Sequence, residues 1–223
     1  MPAKNIVKLY QENSYYHLYN RGVEKRNIFL NEKDYQVFLS YLKIYLTPKD
    51  KSSLRSNLLE VKNWAKKDEI IRLINLKNYA TSVDLLAYCL MPNHFHFLIK
   101  QEPAMAMKSF MQSFFTKYSM YFNRQHKRVG TLFQGNYKAV QVKSEEQLVY
   151  LSKYIHLNPG KDKFRAWRYS SLTNYFGTIN QVWVKPAAIL SLFSKDRPAT
   201  SYSKFMKEEK DFCIEGLKLD VDD

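Results

Sequence analysis

The sequence predicts an α+β fold, with an antiparallel sheet flanked by helices. Two kinds of segment lead to that reading. Some are short and alternate apolar with polar residues, as half-buried strands do; others are longer, with apolar residues recurring every three to four positions, as on a helix. Two of the strand-like segments are separated only by Pro92-Asn93, which implies a hairpin and hence antiparallel pairing. A hydrophobic content of 45% is enough to build a core.

The elements follow in order. "YYHLYNRG" (Tyr15–Gly22) alternates and ends on glycine, so it reads as a first strand. "EKDYQVFLSYLKIYL" (Glu32–Leu46) has apolar residues at 35, 38, 39, 42 and 45, a helical period that Pro48 stops. Residues 49–80 are lysine-rich and polar and read as an insertion or lid, with one short helix around Leu58–Lys66. Ser82–Met91 and "HFHFLIK" form the hairpin strands. Ala106–Arg124 is strongly amphipathic, and its aromatic stripe reads as core. Gly130–Val142 returns to strand character. Ser144 with Gln147 resembles a capping box, Glu145 and Glu146 suit a helix N-terminus, and Pro159-Gly160 end that last helix.

Charge narrows the function. A net +14 and a pI of about 9.6 point to a polyanionic partner. The charge is uneven: Lys207 to Asp223 holds seven acids against three lysines, leaving the other 206 residues at +18. This tail reads either as a solubilising end or as a segment that folds back onto the basic face. Seventeen tyrosines and 14 phenylalanines accompany the cations, and flat rings stack on unpaired bases as well as packing a core. Cys89 and Cys213 form neither a disulfide framework nor a zinc motif. The start lacks the apolar region of a secretory leader, and no apolar run approaches bilayer length. A cytoplasmic location is expected.

"MPNHFHFLIK" places two of the five histidines, His94 and His96, at i and i+2 of a strand. They therefore share a face, while Phe95 and Phe97 share the other. With no carboxylate between them, two imidazoles favour a shared cation; the plainer alternative is ordinary core or surface histidines. On the last helix Tyr154 and Asn158 lie four apart and share a face beside the Leu148, Leu151 and Ile155 stripe. A tyrosine beside a metal can serve as a nucleophile, although a tyrosine's ordinary role is packing.

"AYCLMPNHFHFLIK", "LFQGNYKAV" and "YLSKYIHLNP", together with "YHLYNRG" and "WRYSSLTNYFG", resemble the single-tyrosine HUH transposases, and more closely their REP-associated tyrosine transposase (RAYT) branch. The likeness runs from Tyr15 to Gly177. It implies a ferredoxin-like or RRM-like core within residues 1–180, with 181–223 as an extension. It implies cleavage of single-stranded DNA, often beside a hairpin, with a 5′ phosphate joined to the tyrosine and a 3′ OH released. It implies Mg²⁺ or Mn²⁺ held by the histidines and a polar residue of the tyrosine helix. Carried over by position, His94 and His96 are metal ligands, Tyr154 is the nucleophile and Asn158 the third ligand, where many relatives carry glutamine. Arg21, Arg26, Lys138 and Lys153 are the expected DNA-binding cations. Asn136 stands where the pattern "FQGRYK" has arginine. Expected partners are single-stranded or hairpin DNA and no membrane, with the chain a monomer or homodimer. The alternatives are a catalytically inactive DNA- or RNA-binding protein of transposase descent and a metal-free RRM-like module. The latter would need an RNP-like aromatic run that the sequence lacks. Transesterification conserves bond energy, so no nucleotide-binding GxxxxGK[ST] loop is required, and none is present.

Overall fold

Strand β1 (Ser14–Arg21) runs through the middle of a four-stranded antiparallel sheet in the computed structural model, which describes residues 9–208. β3 (His94–Gln101) pairs with it on one side and β4 (Lys138–Val142) on the other, while β2 (Val83–Met91) lies outside β3. The order β2-β3-β1-β4, with helical crossovers after β1 and β3, is the ferredoxin-like split β-α-β arrangement. The α+β class predicted from the sequence is the one observed.

Alternation along the strands divides the molecule into two layers. Phe95, Phe97 and Ile99 face a core shared with α1 (Glu32–Leu46) and α4 (Ala106–Gln125). Phe38 of α1 meets Phe114 and Tyr118 of α4 edge-on at 4.7 Å, the geometry that opposes a ring's positive edge to its neighbour's negative face. Asp34 ties the same two helices together. Its buried carboxylate accepts from the Leu30 amide, the Tyr121 hydroxyl and His126 Nε2, so this interior charge is fully solvated by protein.

The opposite face packs on α5 (Glu145–Leu157) through Leu98, Leu148, Leu151 and Ile155. Ser144 caps α5 by accepting from the Gln147 amide, and Gln147 returns a bond to the Lys143 amide. Three short helices finish this layer: α6 (Leu172–Tyr175), α7 (Ala187–Leu190) and α8 (Pro198–Phe205). Trp183 stacks on Tyr88 at 5.5 Å, and Tyr202 of α8 donates to Ser152 of α5. Residues after 180 therefore pack on β2 and α5 as far as they are described. The acidic tail, from residue 209 onward, lies outside the described residues.

Two expectations are corrected. Instead of one helix around Leu58–Lys66, residues 49–80 hold α2 (Lys51–Glu60) and α3 (Trp64–Asn75), and the predicted helix straddles the break between them. Asp50 and Asn63 set both starts by accepting amide bonds of the first turns. Second, β4 begins only at Lys138, not at Gly130. Gly130 and Gly135 take φ of 87° and 63°, left-handed values that no strand continues through. The chain from 130 to 137 instead crosses the end of β1, with Gln134 N donating to Arg21 O.

Candidate active site

The register between strands assembles the first part of the site. His96 lies opposite Tyr19 on β1 and Cys89 on β2; His94 lies opposite Arg21 and Met91. All of these side chains point to the α5 side. Lys138 of β4 extends the same row beyond Tyr19, its ammonium 5.6 Å from the centre of that ring.

The C-terminal end of α5 closes over the histidines. Asn158 is the C-cap, and the left-handed Gly160 (φ 101°) turns the chain away just after it. The Asn158 amide sits between the two imidazoles, with Oδ1 2.9 Å from His94 Nε2 and Nδ2 3.3 Å from His96 Nε2. One turn earlier, the Tyr154 ring stands edge-on to His96 at 5.6 Å and to His17 at 6.2 Å. The structure thus brings His94, His96, Tyr154 and Asn158 into one cluster.

Both ring nitrogens of His94 face a side-chain oxygen. Its Nδ1 is 2.7 Å from Asn93 Oδ1, and Asn93 is oriented by donating its own Nδ2 to Lys25 O. Its Nε2 is 2.9 Å from Asn158 Oδ1. A neutral imidazole donates to only one of the two oxygens, so the other contact needs a proton or a cation on the ring nitrogen. Two imidazole nitrogens and an amide oxygen suit a divalent cation. Among the described residues no group of three His, Cys, Asp or Glu side chains is placed to hold a metal.

His17 was missed by sequence reasoning. It is fully buried on β1, and its Nε2 lies 2.9 Å from His96 Nδ1 with the rings stacked 8° from parallel. Burial lowers the His17 pKa to about 3; burial, then the neighbouring His17 and His94, hold His96 well below the ordinary histidine value. Both imidazoles are neutral near neutral pH, the form that ligates metal. Only the i, i+2 alternation of Tyr15, His17, Tyr19 and Arg21 hinted at this. The partner of His17 lies 79 residues away.

The four expected DNA-binding cations diverge. Arg21 borders His94 across the strand pair and donates to Gln134 Oε1. Arg26 pairs with Glu24 at 2.6 Å beyond the end of β1. Lys138 joins the histidine row. Lys153 is not brought to the cluster: it is buried, and its ammonium is held by the carbonyls of Phe205 and Glu208 at the end of α8.

A protein-family model described as "Transposase IS200 like" matches residues 37–158, just over half of the chain. Among solved structures, the chain is similar to one described as "Structure of the REP associates tyrosine transposase bound to a REP hairpin". The two share 13% identity with a TM-score of 0.45, over 82% of this chain and 92% of that one. No curated protein matches the chain.

Proposed function

This chain belongs to the IS200-like transposase family, and on that premise we propose that it is a metal-dependent single-stranded DNA endonuclease and strand transferase acting beside hairpins, with Tyr154 as nucleophile. The observation that carries the reading is the Asn158 amide lying between His94 Nε2 and His96 Nε2, with the Tyr154 ring against the His96 imidazole. The sequence blocks add a resemblance to the REP-associated branch.

In this reading His94, His96 and Asn158 hold Mg²⁺ or Mn²⁺, which supplies polarisation of the scissile phosphate. Tyr154 Oη attacks phosphorus, opposite the bridging O3′. The tyrosyl O–P bond forms, the P–O3′ bond breaks, the phenol proton passes to solvent and the leaving oxygen takes up a proton as a 3′ OH. One phosphodiester is exchanged for another, so the tyrosyl ester can be attacked by a second 3′ OH and the strand rejoined. Arg21 and Lys138, on the same sheet face, would meet the flanking phosphates. His17, 2.9 Å from His96 Nδ1, would accept from Nδ1–H and so leave His96 Nε2 as the nitrogen available to ligate.

A DNA-binding protein that has lost the chemistry is the second reading. The burial of the Tyr154 hydroxyl favours it, because a phosphate must reach that oxygen. One experiment separates the two. The chain is incubated with Mn²⁺ and hairpin-flanked single-stranded DNA, and covalent protein–DNA adducts are resolved under denaturing conditions. The expected result is an adduct from the parent chain and none from Tyr154→Phe, with DNA and metal binding retained. An adduct that moved to Tyr150 would refute the choice of nucleophile, and its absence from the parent chain would favour the binding protein.

A further inference from the structure

On the sheet face away from the histidines, α3 and α4 wall a groove of about 1000 Å³ whose floor includes Tyr41 and Tyr45 of α1. Arg72, Lys77, Lys117 and Arg124 line it, and no carboxylate does. Asp68 pairs with Arg72 along α3 at 2.7 Å; with the arginine 78% exposed, that pair is loosely held. Lys117 is the inner cation, its ammonium 5.0 Å from the centre of the Tyr41 ring. Burial, then Arg72, lowers its pKa, and Lys49 nearby is lowered by burial, Lys51 and Lys117. Like charges crowded in this way are relieved by an anion. Met120, 68% exposed, sets an apolar surface among them.

The insertion supplies one wall. Neither α2 nor α3 buries a residue, so this segment adds little to the core. Yet α3 and the turn after it contribute Arg72, Leu76 and Lys77, and Lys49 fastens the end of α3 by donating to the carbonyls of Leu73 and Leu76.

We propose that this groove is a second DNA-contacting surface, one that holds the backbone of a single-stranded flank. Cations interleaved with Tyr41 and Met120 match a strand whose phosphates and bases are both accessible. The whole sheet separates the groove from the histidine cluster, so a short substrate at the cluster leaves the groove empty and a longer flank fills it. The proposal rests on the DNA-binding part of the function above and not on Tyr154 chemistry.

The test is Lys117→Glu with Arg124→Glu, checked for native circular dichroism. Fluorescence anisotropy is measured over a salt series on two hairpin DNAs, one with a minimal flank and one with a long single-stranded flank. On the long DNA the variant is expected to lose about tenfold in affinity at low salt, and its slope of log affinity against log salt to shallow by about 1.4, two single-strand phosphate contacts' worth. On the minimal DNA, affinity and Mn²⁺-dependent adduct formation are expected to stay at the parent level. Equal losses on both DNAs, no loss on either, or stronger binding of polyglutamate than of DNA at the groove would overturn the proposal. If the parent chain forms no adduct at all, the catalytic reading fails, while the flank-length comparison still decides the groove.

Discussion

His94 and His96 occupy equivalent places in the proposed chemistry but different places in the fold. His94 is half-buried, whereas His96 is sealed and hydrogen-bonded to His17. Both alanine substitutions are expected to abolish Mn²⁺ binding and nicking. His94→Ala should cost less than about 1 kcal/mol of stability, and His96→Ala about 2–4 kcal/mol, because it opens a cavity and strands the His17 nitrogen. Isothermal titration with Mn²⁺ and urea unfolding of the same samples check both halves; equal stability losses would contradict the burial difference. His17 has its own signature. His17→Leu removes the acceptor for His96 Nδ1–H and is expected to weaken Mn²⁺ binding about 10- to 100-fold. His17→Gln keeps an acceptor and should recover much of that loss. If both variants bind Mn²⁺ like the parent, His17 is packing alone.

Among the elements, α5 carries both the proposed nucleophile and the third ligand, so its first turn bears on the site from three turns away. Ser144→Ala removes the cap of the Gln147 amide and is expected to cost about 1 kcal/mol, read as a lowered urea midpoint at unchanged slope. α5 was legible because its signals are local: a capping box, an apolar stripe and a Pro-Gly stop. α1 and the β2–β3 hairpin were legible for the same reason. α2 was not, because it buries nothing and carries little apolar period; α3 carries one, in Ile70, Ile71, Leu73 and Ile74, that the reading of 49–80 as polar passed over, and both starts depend on single capping side chains, Asp50 and Asn63. The over-long reading of β4 came from the apolar Leu132, Phe133 and Tyr137, which are buried in a loop rather than a strand. His94, His96, Tyr154 and Asn158, which the structure gathers into one cluster, stood out in sequence as types at fixed spacing. His17 did not, since its meaning depends on the pairing of β1 with β3. Lys153 was misleading, since a lysine on the tyrosine helix gives no sign in sequence that α8 will claim its ammonium.

The whole molecule holds three buried neutral histidines: His17 and His96 at the cluster, and His156, which is bonded to Tyr202 and Ser171. Burial lowers the His17 and His156 pKa values to about 3, against 6.5 in an unfolded chain, and lowers His96 in the same direction. Below pH 6.5 the unfolded chain therefore binds protons that the folded chain refuses. Stability is full above pH 6.5 and falls as the pH drops toward 3, by up to about 1.4 kcal/mol per pH unit for each histidine. Urea unfolding of metal-free protein along a pH series is expected to show this acid lability, and His156→Gln should flatten it by about one proton. A pH-independent stability across that window would contradict neutral burial. No helix among the described residues is long and apolar enough to cross a membrane.

The alternation in β3 has a consequence for inheritance. Phe95, Phe97 and Ile99 belong to the core, and His94 and His96 to the cluster, in one run of six residues. A lineage released from selection for strand transfer can lose His94 first, at little cost to folding, because that side chain is only half-buried. The fold, the basic surface and the aromatic positions of β3 would all survive that step. On the proposed chemistry, a binding protein is then a single substitution away, and neither the sheet nor its core would record the change.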